Sequence, residues 1–108
     1  MVDFVRVGSI AEIPEGEARA FDLPTGRVAV VHVEARLFAF ADECTHAGCA
    51  LSEGEVDDRG TTVECPCHGS VFDLETGEPL EGPARDPVAV HQARLVDGWV
   101  EVGQQPLR

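Results

Sequence analysis

The sequence has no apolar run near the roughly 20 residues that a membrane-spanning helix needs. Met1–Arg6 shows no basic region followed by an apolar stretch. From these two absences we expect a cytoplasmic protein with no signal peptide and no membrane partner. Lysine is missing too: all 8 bases are arginines, set against 20 acids, for a formal net charge of −12. That excess repels phosphate backbones and anionic lipid, so nucleic acid is not expected as a partner. It suits a basic patch on another protein, where charge speeds and orients encounter. Tyrosine is absent, so no phenol is available to donate a hydrogen bond. There is no internal repeat, low-complexity tract or heptad pattern.

What is present reads as one globular domain, residues 1–108. Its hydrophobic content of 44% supports a single modest core. Short runs rich in β-branched residues dominate, bounded by Gly, Pro or Asp. Strands are expected at Phe4–Val7, Ala18–Phe21, Val28–Val33, Leu37–Phe40, Thr62–Glu64, Val71–Asp73, Val88–Leu95 and Trp99–Val102. Asp97-Gly98 is a hairpin signal, while Pro24-Thr25-Gly26 and Glu75-Thr76-Gly77 read as turns. One helical turn is expected from Ser9, with Glu12 completing a capping box and Pro14 ending it. Trp99, Phe4, Phe21, Phe38 and Phe40 are expected in the core. The fold class is therefore all-β, an antiparallel sandwich or small barrel.

Composition changes in the middle of the chain. Every cysteine lies within residues 42–83, together with two of the four histidines. This stretch reads as a loop-rich subdomain inserted into a β scaffold made of residues 1–41 and 84–108. Clustered cysteines beside histidines, without an export signal, point to metal before disulfides. Cys44-Thr45-His46 and Cys65-Pro66-Cys67-His68 each offer one thiolate and one imidazole from a tight turn. The segment between them is long enough to bring the two turns face to face. Such a set also satisfies tetrahedral zinc. Cys44 and Cys49 match the start of a plant-type iron–sulfur spacing, but the Cys-x-x-Cys continuation is missing. His32 and His91 sit in strand-like runs without paired ligands, so both are read as scaffold or surface residues.

Cys44-Thr45-His46-Ala47-Gly48-Cys49 and Cys65-Pro66-Cys67-His68-Gly69-Ser70 resemble the two cluster-binding loops of Rieske proteins. Phe72-Asp73, Thr76-Gly77 and Gly82-Pro83 follow in the family's order. The resemblance implies a Rieske-type [2Fe–2S] cluster, with Cys44 and Cys65 on one iron and His46 and His68 on the other. Replacing two thiolates by neutral imidazoles makes the centre less negative, which raises its potential into a window of roughly −150 to +300 mV. It also implies a one-electron carrier with no catalytic residues of its own, similar to the ferredoxins that pass electrons from a flavin-dependent reductase to a terminal oxygenase. A small subunit of a nitrite-reductase-like complex and a structural zinc module are the alternatives. A catalytic oxygenase would need a 2-His-1-carboxylate iron site, and neither His32 nor His91 has that company.

The same resemblance assigns supporting roles. Cys49 and Cys67 match the pair that forms a disulfide in respiratory Rieske proteins. Ser70 matches a hydroxyl that donates to a bridging sulfide, which stabilises the reduced state. Phe72 stands where high-potential members carry a tyrosine, so the hydrogen bond that residue makes is lost here. Pro83 lies in the position of a proline-containing loop that covers the cluster. These features are mixed, and we expect a potential between those of oxygenase ferredoxins and respiratory proteins. Ligand imidazoles keep a titratable N–H, so reduction is expected to couple to proton uptake at alkaline pH.

Overall fold

The structure, a computed structural model, describes residues 3–107. One strand organises it. Gly26–Val33 (β3) carries Val28-Ala29-Val30-Val31 with no polar residue among them, and both of its faces are covered. Val28 and Val30 enter one core with Ile13, Leu23, Ala39, Val100 and Val102. Ala29, Val31 and Val33 enter a second core with Phe40, Leu51, Val63 and Phe72. A strand buried on two sides reads as a continuous apolar run rather than as alternation.

Three antiparallel sheets follow from this arrangement. Ala18–Leu23 (β2), β3 and Arg36–Ala41 (β4) form a meander through tight turns, and Val90–His91 (β9) pairs with β4. Phe4–Ser9 (β1), Trp99–Gly103 (β11) and Ala93–Val96 (β10) form a second sheet that closes the first core. Glu55–Val56 (β5), Thr62–Glu64 (β6), Val71–Asp73 (β7) and Pro79–Glu81 (β8) form the third, against the second core. No helix of the described residues is long and apolar enough to cross a membrane.

Local signals act as expected at several points. Asp97 and Gly98 both take positive φ, 50° and 83°, which tightens the β10–β11 hairpin. Ser9 and Glu12 form the capping box of a single 3-10 turn, Ile10–Glu12, with the Ser9 N–H donating to Glu12 Oε2 at 2.7 Å.

Two expectations are corrected. The run Val88–Leu95 is not one strand: β9 pairs with β4 and β10 with β11, so the chain changes sheet at Gln92. The Gln92 carbonyl there accepts from the Gly103 N–H at 2.9 Å. Trp99 is 40% exposed rather than core, because Val100 and Val102 take the inward face of β11. It is covered instead by the Arg6 guanidinium, 4.9 Å from its ring, and Phe4 is covered in the same way by Arg94. Of the five aromatic residues expected in the core, Phe40 is fully buried, while Phe21 and Phe38 are half-buried at its margin. The two outer strands of the third sheet, β5 and β8, carry no sequence signal of their own.

Candidate metal centre

Two six-residue loops share one pattern of backbone hydrogen bonds. In the first, the Cys44 N–H donates to the Cys49 carbonyl at 2.8 Å and the Gly48 N–H to the Cys44 carbonyl at 2.8 Å. In the second, the Cys65 N–H donates to the Ser70 carbonyl at 2.7 Å and the Gly69 N–H to the Cys65 carbonyl at 3.1 Å. The fifth residue of each is glycine with φ of 74° and 76°, the left-handed region that a side chain makes costly.

The loops are supported differently. Glu64 and Val71, on either side of the second loop, are paired in the β6–β7 ladder, so that loop is a hairpin tip. The first leaves β4 and enters a 3-10 turn, Leu51–Glu53, with no strand pairing across its mouth. Asp42 closes it: the buried carboxylate accepts from the Ser52 N–H at 2.6 Å and the Ser52 hydroxyl at 2.8 Å. A carboxylate can be buried at tolerable cost when it is hydrogen-bonded in this way.

Thiols and imidazoles are sorted by depth. Cys44 and Cys65 are each only 2% exposed and belong to the second core, whereas His46 and His68 lie at the surface. The two rings stand edge to face with centroids 5.1 Å apart. Burial raises the pKa of the Cys44 thiol, but the backbone N–H groups of His46 and Ala47, the Cys65 thiol and the Ser70 hydroxyl together bring it below the ordinary thiol value. Burial raises that of Cys65, and the neighbouring Cys44 sulfur raises it further, against the N–H groups of Cys67 and His68. Two adjacent sulfurs of this kind do not both ionise unless a cation stands between them. The donor set therefore fits a metal group: two buried thiolates whose repulsion it relieves, and two imidazoles exposed on the same pair of loops.

Cys49 and Cys67 are joined in a disulfide, Cα–Cα 6.4 Å, which ties one loop to the other. Ser70 is fully buried, and its hydroxyl accepts from the Ala84 N–H at 2.9 Å, holding the segment after Gly82-Pro83. That proline is exposed and follows a cis peptide bond. Phe72 is fully buried in the same core as Cys44 and Cys65. Sequence reasoning missed Asp42 and also Thr45, whose hydroxyl donates to the Asp86 carbonyl at 2.7 Å and so fixes the proline-containing segment to the first loop. Neither has a signature in the chain, because the Asp42 acceptor meets a residue beyond the loop and the Thr45 partner is a distant main-chain carbonyl. Among the described residues, no buried side-chain nitrogen or oxygen is left without a partner.

Residues 3–92 match the Rieske [2Fe-2S] domain. The chain belongs to the Rieske family. Its cofactor is accordingly a Rieske [2Fe–2S] cluster. This Rieske chain is 42% identical to the anthranilate 1,2-dioxygenase ferredoxin subunit of Burkholderia cepacia, over 89% of its own length and 87% of the relative's. It is 38% identical to the 3-phenylpropionate/cinnamic acid dioxygenase ferredoxin subunit of Photorhabdus laumondii, over 89% and 90% of the two lengths. In structure it is similar to the ferredoxin in a complex of reduced oxygenase and oxidised ferredoxin of carbazole 1,9a-dioxygenase. That match has a TM-score of 0.87 and 30% identity, over 97% of this chain and 96% of the other.

Proposed function

We propose that this Rieske protein carries single electrons from a flavin-dependent reductase to the terminal oxygenase of a dioxygenase system in the cytoplasm. Cys44 and Cys65 would hold one iron, and His46 and His68 the other, within a cluster-binding subdomain spanning residues 42–83. When bound, the cluster supplies a centre that accepts and releases one electron without bond chemistry on a substrate. The observation that carries this reading is the sorting of donors by depth, buried thiols against surface imidazoles. The relatives' names as dioxygenase ferredoxin subunits support the placement in a dioxygenase system.

Each residue has a physical part in this role. The buried cysteines keep water from the sulfurs, where a low dielectric strengthens every hydrogen bond they receive. The exposed imidazoles give the electron a short path to a partner. The segments Thr45–Ala50 and Pro66–Ser70 contain no charged side chain, although the chain carries −12 overall. Exposed Glu43, Glu64, Glu81 and Asp86 flank them. A partner that docks there fits best with a neutral centre rimmed by basic residues, so both the reductase and the oxygenase are expected to present basic patches.

The test is rapid mixing. The protein, reduced by one electron, is mixed with a Rieske-type oxygenase and followed in its visible absorbance. Expected are a coloured, iron-containing protein, single-electron reoxidation by the oxygenase, and a rate that falls with added salt. A colourless, zinc-containing protein would refute the cluster reading, and a coloured one inert towards such oxygenases would refute the role.

A further inference from the structure

The disulfide has an internal neighbour. The Sγ atoms of Cys49, Cys65 and Cys67 all lie within 4.8 Å of one another, and Cys44 is not part of that group. Cys49 and Cys67 are already bonded, and Cys65 is buried beside them. A thiolate that reaches a disulfide sulfur exchanges with it through attack on that sulfur. Burial keeps external thiols away from Cys65, so the sulfur it meets is that of its own chain. A disulfide in a compartment that keeps thiols reduced also needs a reason to persist.

We propose that Cys65 exchanges into the Cys49–Cys67 disulfide whenever iron does not hold it, so that cluster ligation is what preserves this disulfide. The proposal rests on the assignment of Cys65 as a ligand. In the step, the Cys65 sulfur bonds to Cys49 or Cys67 and the Cys49–Cys67 bond breaks. The displaced sulfur leaves as a thiolate and takes up a proton equivalent to the one Cys65 gave up. No electron is gained or lost. The product has one proposed ligand masked, so the metal-free chain cannot accept a cluster until a dithiol reductant supplies two electrons and two protons to reopen the bond. Iron at Cys65 removes the attacking sulfur and leaves the two loops tied.

Disulfide mapping tests this. The iron-containing protein is quenched in acid, unfolded, labelled with a maleimide and mapped by mass spectrometry, before and after anaerobic removal of iron by a chelator and incubation at about pH 8. Before removal, label is expected on Cys44 and Cys65 alone. Afterwards it is expected to move from Cys65 to Cys49 or Cys67, with Cys44 still labelled, and dithiothreitol should restore cluster insertion. Cys65→Ser, prepared without metal, should keep the Cys49–Cys67 bond. Label remaining on Cys65 overturns the proposal. So does scatter over all four cysteines, which marks exchange in an unfolded chain, and so does exchange in Cys65→Ser. Label on Cys49 or Cys67 with Cys65 unlabelled while the cluster is intact would instead show that iron does not hold Cys65, and the ligand assignment would fail with the exchange still standing. Label on all four before removal marks a bridge already reduced and overturns the proposal.

Discussion

The two cysteine-bearing loops share a backbone and differ in what their side chains do. Each starts on a buried cysteine, bonds that residue's N–H to a carbonyl five residues on, and turns through a left-handed glycine. The third position is His46 in one and Cys67 in the other. The fourth is Ala47 against His68, and the sixth is Cys49 against Ser70. Imidazole and disulfide sulfur thus take different positions within one frame, third and sixth in the first loop and fourth and third in the second. Each loop supplies one thiol, one imidazole and one half of the bridge. The frame itself is held in two ways. The second loop inherits its closure from the β6–β7 ladder, whereas the first relies on Asp42 and Thr45. A main-chain frame repeated by hydrogen bonding can therefore carry different side-chain orders, provided something outside the loop closes its ends.

If the frames are equivalent, Cys44→Ser and Cys65→Ser should each abolish the visible chromophore and the bound iron, to the same extent. An iron assay showing one variant still loaded would break the symmetry. His68→Cys should either fail to assemble or give a cluster with a more negative midpoint by voltammetry, since a thiolate adds negative charge.

Next in size is the bridge between the loops. Cys49→Ser, alone or with Cys67→Ser, should lower stability by about 3 kcal/mol in denaturant titration, given a sequence separation of 18. A loss under about 1 kcal/mol would mean that the loops are held together without it. Ser70→Ala removes the acceptor of the buried Ala84 N–H and should cost about 1–3 kcal/mol. Its midpoint should also move to more negative values if the hydroxyl donates to cluster sulfur, as the family resemblance implies. An unchanged midpoint would confine Ser70 to holding the Ala84 segment.

Gly48→Ala and Gly69→Ala should each cost about 1–2 kcal/mol in thermal melts, because both occupy the left-handed region. Unequal losses would show that one frame is better able to relax. The smallest effect is expected for Thr45→Val, about 1 kcal/mol, from loss of the hydrogen bond to Asp86 at the protein surface.

Much of the architecture was legible in the chain. Apolar runs marked β2, β3, β4, β6, β7 and β11, and Asp97-Gly98 marked its hairpin, because side-chain periodicity and positive φ leave residue-type signatures. The division at Gln92 was not legible, since β9 and β10 together read as one apolar-rich run and only their partners differ. Trp99 was misplaced for a related reason: a large aromatic side chain favours burial in general, but strand register put it on the outer face.

The sequence by itself determined the chemistry available: two thiols, two imidazoles, a further pair of cysteines and a neutral stretch around them in an acidic chain. Residue type alone sets what a group can donate, accept or ligate. Only the tertiary structure decided that the thiols lie in a core and the imidazoles outside it, that Cys49 meets Cys67, and that Asp42, Thr45 and Ser70 hold the loops and the proline-containing segment in place. Those outcomes depend on backbone hydrogen bonds and on packing between segments far apart in the chain. Every residue but proline offers the same main-chain N–H and C=O, so such bonds leave no mark on the sequence.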